Sequence, residues 1–177
     1  MTVTADFQGV QAEQREPLIG WLEYEQRPIK IILNKKRPLL NHALFNLEKR
    51  TVSGRFSLSN IPKRRRKNFR AITEMHYHTS CNELALFLIG ALAYRQDPGI
   101  SRYITFDDFK MGLKGYLFHK TRIEKFDMTR GYKPDDTFDV EMEFLRAKKM
   151  YGTVYAQMEV RGDLRGRLLY SYTPQAL

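Results

Sequence analysis

The stretch Leu84-Ala85-Leu86-Phe87-Leu88-Ile89-Gly90-Ala91-Leu92-Ala93-Tyr94 carries no charge and places apolar side chains on every face of a helical wheel. A helix that is apolar all round must be enclosed by protein, and this one is far too short to span a bilayer. The rest of the chain must therefore supply a wrapping for it. The polar run His76-Tyr77-His78-Thr79-Ser80-Cys81-Asn82-Glu83 stands directly in front. Ser80 and Glu83 have the spacing of a capping box, in which each side chain satisfies an orphan backbone donor of the other, so the spacing predicts a helix beginning here. Its first amides, those of Asn82, Glu83 and Leu84, would then carry the positive end of the helix dipole, fit to polarise a carbonyl or hold an anion.

Length and charge narrow the setting. A chain of 177 residues can bury one good core and reads as a single domain over residues 16–177, after a polar tail at 1–15 without sustained period. Lys and Arg number 30 against 20 Asp and Glu, a formal charge of +10. That excess favours an anionic partner: a phosphorylated cofactor, an acidic carrier protein, nucleic acid or a membrane surface. The single cysteine, Cys81, cannot form an internal disulfide, and no basic-then-apolar leader opens the chain, so the expected compartment is the cytoplasm.

Alternation supplies the wrapping. Ala43, Phe45 and Leu47 alternate with Leu44 and Asn46, and Val52, Gly54, Phe56 and Leu58 with Ser53, Arg55 and Ser57, close enough in sequence to pair as a hairpin. Pro17–Leu22 reads as a short helix or packing segment and Ile29–Leu33 as a short strand. After the helix, Asp97-Pro98-Gly99 is a stop signal, with Gly99 suited to a left-handed exit. Thr105–Phe109 reads as a turn into a strand over Leu113–Phe126. Phe138, Val140, Met142 and Phe144 face one way and Asp139, Glu141 and Glu143 the other, predicting a strand with one wet side. Val154, Ala156, Met158 and Val160 repeat the pattern, Gly162-Asp163 turns, and Leu164–Tyr172 returns. A hairpin, one buried helix and an antiparallel meander make an α+β chain with a sheet wrapped around one central helix, the layout of the hotdog fold. Its open edges predict a homodimer or higher homo-oligomer.

His78-Thr79-Ser80-Cys81-Asn82-Glu83-Leu84, the helix ending Leu92-Ala93-Tyr94, the later Asp107-Asp108-Phe109 and the order of strands resemble the FcoT-type long-chain fatty acyl thioesterases of the hotdog superfamily, over roughly residues 42–172. The resemblance implies an enzyme acting on a fatty acyl chain held as a thioester on coenzyme A or acyl carrier protein, with no cofactor. Members of this branch are also linked to adding glycine across an enoyl thioester. Two departures stand out: Ser80 occupies the place of a family asparagine, and an extra basic segment precedes the helix.

A thioester carbonyl needs a donor where negative charge develops, and an acid or base within reach. Glu83, His78 and His76 are the titratable groups nearest the expected helix start. On a strand leading into the helix, His76 and His78 would share a face. The bland alternatives are a capping role for Glu83 and structural or surface roles for the histidines. His119 reads as a surface residue. Cys81 lacks any nucleophile signature around it and reads as a small buried hydrophobe. With one cysteine and no second ligand cluster, His76 and His78 do not make a metal site. Gly90 admits a close neighbour, another element or an acyl chain. The run Lys63-Arg64-Arg65-Arg66-Lys67 could dock the phosphates of coenzyme A or the acidic face of a carrier protein, or be a solvated loop. Nucleic-acid binding would draw on the same run, but no recognised motif accompanies it. Thioester hydrolysis is the first expectation, dehydration or amine (glycine) addition at an enoyl thioester the second, and a non-catalytic or nucleic-acid-binding basic domain the third.

Overall fold

A computed structural model describes residues 2–6, 40–46, 48–57, 74–114, 118–128 and 136–173. Among the described residues seven strands form one antiparallel sheet: β1 (Thr2–Asp6), β2 (Leu40–Asn46), β3 (Thr51–Ser57), β4 (Phe118–Met128), β5 (Thr137–Met150), β6 (Thr153–Gly162) and β7 (Leu164–Tyr172). Their order across the sheet is β1-β2-β3-β5-β6-β7-β4. Helix α1 (Glu74–Tyr94) packs on β2, β3 and β5, and the shorter α2 (Phe106–Lys114) packs on α1. The fold is α+β, a hotdog: an antiparallel sheet around one central helix.

Two contacts of adjacent helix residues show that the sheet curls. The backbone N–H of Leu40 on β2 donates to Glu83 Oε2 at 2.9 Å, and the Tyr170 hydroxyl on β7 donates to Asn82 Oδ1. β2 and β7 are separated by β3, β5 and β6. In a flat sheet they would lie about 19 Å apart, at about 4.8 Å per strand, farther than two neighbouring side chains of one helix can reach. Register shifts between Leu40 and His42, Lys120 and Arg122, Glu124 and Asp127, and Phe144 and Arg146 mark bulges, which bend and twist a strand.

The core follows the expected alternation. Val52, Gly54 and Phe56 on β3, Phe138, Val140, Met142 and Phe144 on β5, and Val154, Ala156, Met158 and Val160 on β6 all turn inward. The β2–β3 hairpin pairs Asn46 with Thr51. On β5 the bulge after Phe144 resets the period, so Leu145 and Arg146 both face out and Ala147 returns to the core. Every residue of α1 from Leu84 to Ala93 is buried.

Several sequence expectations are corrected. Helix α1 begins at Glu74, not at Ser80. Nothing in Glu74-Met75-His76-Tyr77-His78 interrupts a helix, since it holds neither Gly nor Pro. A capping box does exist, but on α2: Asp108 N donates to Thr105 Oγ1 at 3.1 Å, and Thr105 N donates to Asp108 Oδ2 at 2.9 Å. The turn expected at Thr105–Phe109 is therefore the start of a helix, and the following strand begins at Phe118. At the α1 exit the left-handed residue is Gln96 (φ 55°), not Gly99; Asp97 N donates to Leu92 O and Gln96 N to Ala93 O, a Schellman motif. Residues Thr2–Asp6, read as tail, pair with β2 from His42 to Asn46. The segments Pro17–Leu22 and Ile29–Leu33, and the remainder of the 1–15 tail, lie outside the described residues.

At Gly54 helix and sheet approach closely. A Cβ there would sit 2.7 Å from Leu40 Cδ1, 2.8 Å from Leu84 Cδ1 and 2.9 Å from Phe56 Cε2. Gly54→Ala is expected to destabilise the fold by about 1–3 kcal/mol through overpacking, read by urea denaturation. A variant as stable as the parent would contradict this account of the helix–sheet contact.

Candidate functional site

The polar half of α1 divides by face. Ser80, Cys81 and Glu83 are wholly buried, each 0% exposed, whereas His78, Thr79 and Asn82 are half-buried. Positions three and four apart lie one above the other on a helix. His78, Thr79 and Asn82 therefore form one partly open stripe along a helix otherwise closed over its apolar length.

This placement changes the chemistry expected of the region. Because α1 starts at Glu74, the amides of Asn82, Glu83 and Leu84 lie in the helix interior, where each N–H bonds the carbonyl four residues back. They are not a free oxyanion hole. The side-chain donors on this stripe include the Asn82 amide and the Thr79 hydroxyl, and of these the amide is the one taken up below. The backbone at positions 76 to 78 is helical rather than the extended strand on which a shared face was expected. His78 instead stands one turn before Asn82.

Glu83 is an anchor. Its carboxyl lies wholly out of water and accepts the Leu40 amide at 2.9 Å, at the bulge where the β2–β3 register shifts. A buried carboxyl needs such partners, and a bulge frees a backbone donor to supply one. The capping role expected for Glu83 and Ser80 is corrected, because both lie within the helix. Ser80 is enclosed rather than turned to the open stripe. Leu84 belongs to the core against Gly54, and Gly90 is buried within α1. Cys81 is buried and takes part in no disulfide. The basic run Lys63, Arg64, Arg65, Arg66 and Lys67, like the His76 side chain, lies outside the described residues.

Tyr170 was not among the residues expected from sequence. It is 1% exposed, on β7, and its hydroxyl donates to Asn82 Oδ1. Burial, with a smaller electrostatic contribution from Cys81, pushes its ionisation well above the ordinary tyrosine range, so it remains a donor. A signal was available: Leu164, Leu168, Tyr170 and Tyr172 share the inward phase of β7, and an inward tyrosine must find a partner for its hydroxyl.

Two open grooves lie elsewhere. One of about 620 Å³ runs over Leu44, Asn46, Ser53, Glu141, Glu143 and Arg161; another of about 590 Å³ sits at the α1 exit beside Tyr94, Ser101 and Phe106. Neither contains a residue of the polar helix half. Among the described residues no group of three or more His, Cys, Asp or Glu side chains is placed to hold a metal, and no helix is long and apolar enough to cross a membrane.

No protein-family model and no curated protein matches the sequence. Among solved structures, the chain is similar to a mutant thioesterase from Pseudomonas aeruginosa at 10% identity and TM-score 0.44, covering 93% of this chain and 96% of that one. It is also similar to a hypothetical thioesterase protein with coenzyme A from Streptococcus pneumoniae, at 9% identity and TM-score 0.41, covering 72% of this chain and 81% of that one.

Two outcomes follow from the buried groups. Glu83→Ala leaves the Leu40 amide without its acceptor and is expected to lower stability by roughly 1–3 kcal/mol, whereas Glu83→Gln keeps an acceptor and loses less; equal stabilities in urea would remove the anchor. For Tyr170, the unfolded chain releases the phenolic proton near pH 10 while the folded chain holds it, so stability falls as pH rises beyond about 10. Tyr170→Phe should flatten that fall, and an unchanged alkaline limb would contradict its burial.

Proposed function

We propose that this protein is a hotdog enzyme that hydrolyses acyl thioesters. The observation that carries the reading is the half-open stripe of His78 and Asn82 on a central helix that is enclosed from Leu84 to Ala93. A carbonyl donor and a proton acceptor four positions apart are what addition to a thioester requires. The resemblance of the His78–Leu84 run to FcoT-type thioesterases supports the same chemistry.

In this reading the thioester oxygen accepts a hydrogen bond from Asn82 Nδ2. A water molecule gives a proton to the His78 imidazole and its oxygen adds to the carbonyl carbon, moving negative charge onto the oxygen held by Asn82. Collapse breaks the C–S bond, the proton passes to the departing sulfur, and a carboxylic acid and a free thiol leave. Glu83 contributes indirectly, by fixing α1 against β2. The acyl group is a fatty chain carried on coenzyme A or an acyl carrier protein. Lys63 to Lys67 would meet the carrier's phosphate or acidic surface. The working unit is a homodimer, whose second copy covers sheet edge and apolar surface.

Incubation with a panel of saturated and enoyl acyl-CoA thioesters tests this directly. Stoichiometric release of free thiol is expected, and Asn82→Ala should lower kcat by about 10²–10³-fold, the usual cost of removing one oxyanion donor. A mass gain on the enoyl chain without thiol release would replace hydrolysis with addition at the same site. No change in any thioester would overturn the enzyme reading.

A further inference from the structure

We propose that Tyr170 is a positioning residue for the reaction. By donating its hydroxyl proton to Asn82 Oδ1 from beneath, it turns the Asn82 carboxamide so that the NH2 end, not the carbonyl end, faces the open stripe and meets the substrate carbonyl. The proposal rests on the hydrolase reading of this site.

A carboxamide has two ends of nearly the same shape and opposite hydrogen-bonding character. Presented one way, Asn82 stabilises a developing oxyanion; presented the other, it sets oxygen against oxygen. The surroundings must choose between them, and the donor that does so is Tyr170. Its hydroxyl is sealed in the core, so its proton requires an acceptor, and Asn82 Oδ1 is that acceptor. Turning the NH2 toward the hydroxyl would leave a buried O–H without one. Burial also keeps the phenol protonated, so the donor is not lost as pH rises through the neutral range.

The platform is rigid. β7 is paired on both sides at this point, Tyr170 lying opposite Ala156 of β6 and Lys120 of β4. Rotamers locked by such support hold a functional group within the narrow geometry catalysis needs. Asn82 is half-exposed, and with Oδ1 engaged by Tyr170 its NH2 is the end left to meet a ligand.

The test uses the full chain and four variants: Tyr170→Phe, Asn82→Ala, the double variant, and Asn82→Asp. Thiol release from a fatty acyl-CoA gives kcat and KM, and thermal melting checks folding. Tyr170→Phe is expected to lower kcat by about tenfold with KM within about twofold, because the lost orientation matters most in the transition state. The double variant should be no slower than Asn82→Ala alone, since the hydroxyl acts only through that amide. Asn82→Asp keeps an acceptor for Tyr170 but offers no N–H, and is expected to fold normally and lose turnover, which keeps the idea testable if Tyr170→Phe does not fold. Tyr170→Phe retaining kcat within about twofold, independent losses that multiply in the double variant, or full activity in Asn82→Asp would each overturn the proposal.

An NMR arm separates its failure from failure of the hydrolase reading. If the parent protein turns over no thioester, the enzyme reading fails, while a slowly exchanging Tyr170 hydroxyl proton coupled through space to the Asn82 carboxamide still supports the orientation. Absence of that proton in the parent protein overturns the positioning role whatever the activity.

Discussion

Enclosure of α1 is the constraint on which everything else in this molecule depends. From Leu84 to Ala93 the helix has no face that water can touch without cost, and burying each large side chain there contributes on the order of 1.5–3 kcal/mol. A flat sheet covers one side of a helix and leaves the others wet. Bulges in β2, β4 and β5 bend the strands instead, until β2 and β7 reach adjacent residues of the same helix. Gly54 lets Leu40 and Leu84 close the gap where a side chain would hold them apart.

A helix wrapped this closely leaves little room for chemistry, and that explains where the candidate site lies. Polar groups facing the sheet must be satisfied by it, as Glu83 is by the Leu40 amide. Polar groups on the remaining stripe keep part of their surface open, as His78 and Asn82 do. Asn82, half-exposed, accepts the Tyr170 hydroxyl proton at Oδ1. The sheet thus meets the helix twice: its apolar face stabilises the apolar half, and β2 and β7 each hydrogen-bond a side chain of the polar half.

Much of this was legible in the chain. Strands with one wet side announce themselves by period two, and Phe138 to Phe144 and Val154 to Val160 pack as their alternation indicates. The helix interior was equally plain, because an uncharged run of this length outlasts a typical strand and is apolar on every face of a helical wheel. Its start was not. Ser80–Glu83 and Thr105–Asp108 share the capping spacing, and residues three apart are also neighbours inside a helix, so the pattern alone does not say which pair stands at an end. That ambiguity put the amides of Asn82, Glu83 and Leu84 at a helix start, whereas they lie inside α1. The bulge after Phe144 and the pairing of Thr2–Asp6 depend on partner strands rather than local pattern. Tyr170 and Asn82 lie 88 positions apart, and only the curl of the sheet brings them together.

The central claim is that a substrate carbonyl is received by a side-chain amide part-way along the helix, not by backbone amides at its beginning. A crystal structure with a non-hydrolysable ketone analogue of a fatty acyl-CoA tests it most directly. The account predicts the ketone oxygen within about 3 Å of Asn82 Nδ2, with His78 on the same side. A ketone oxygen seated at the amides of the first turn of α1, or in the groove beside Tyr94 and Phe106, would contradict it.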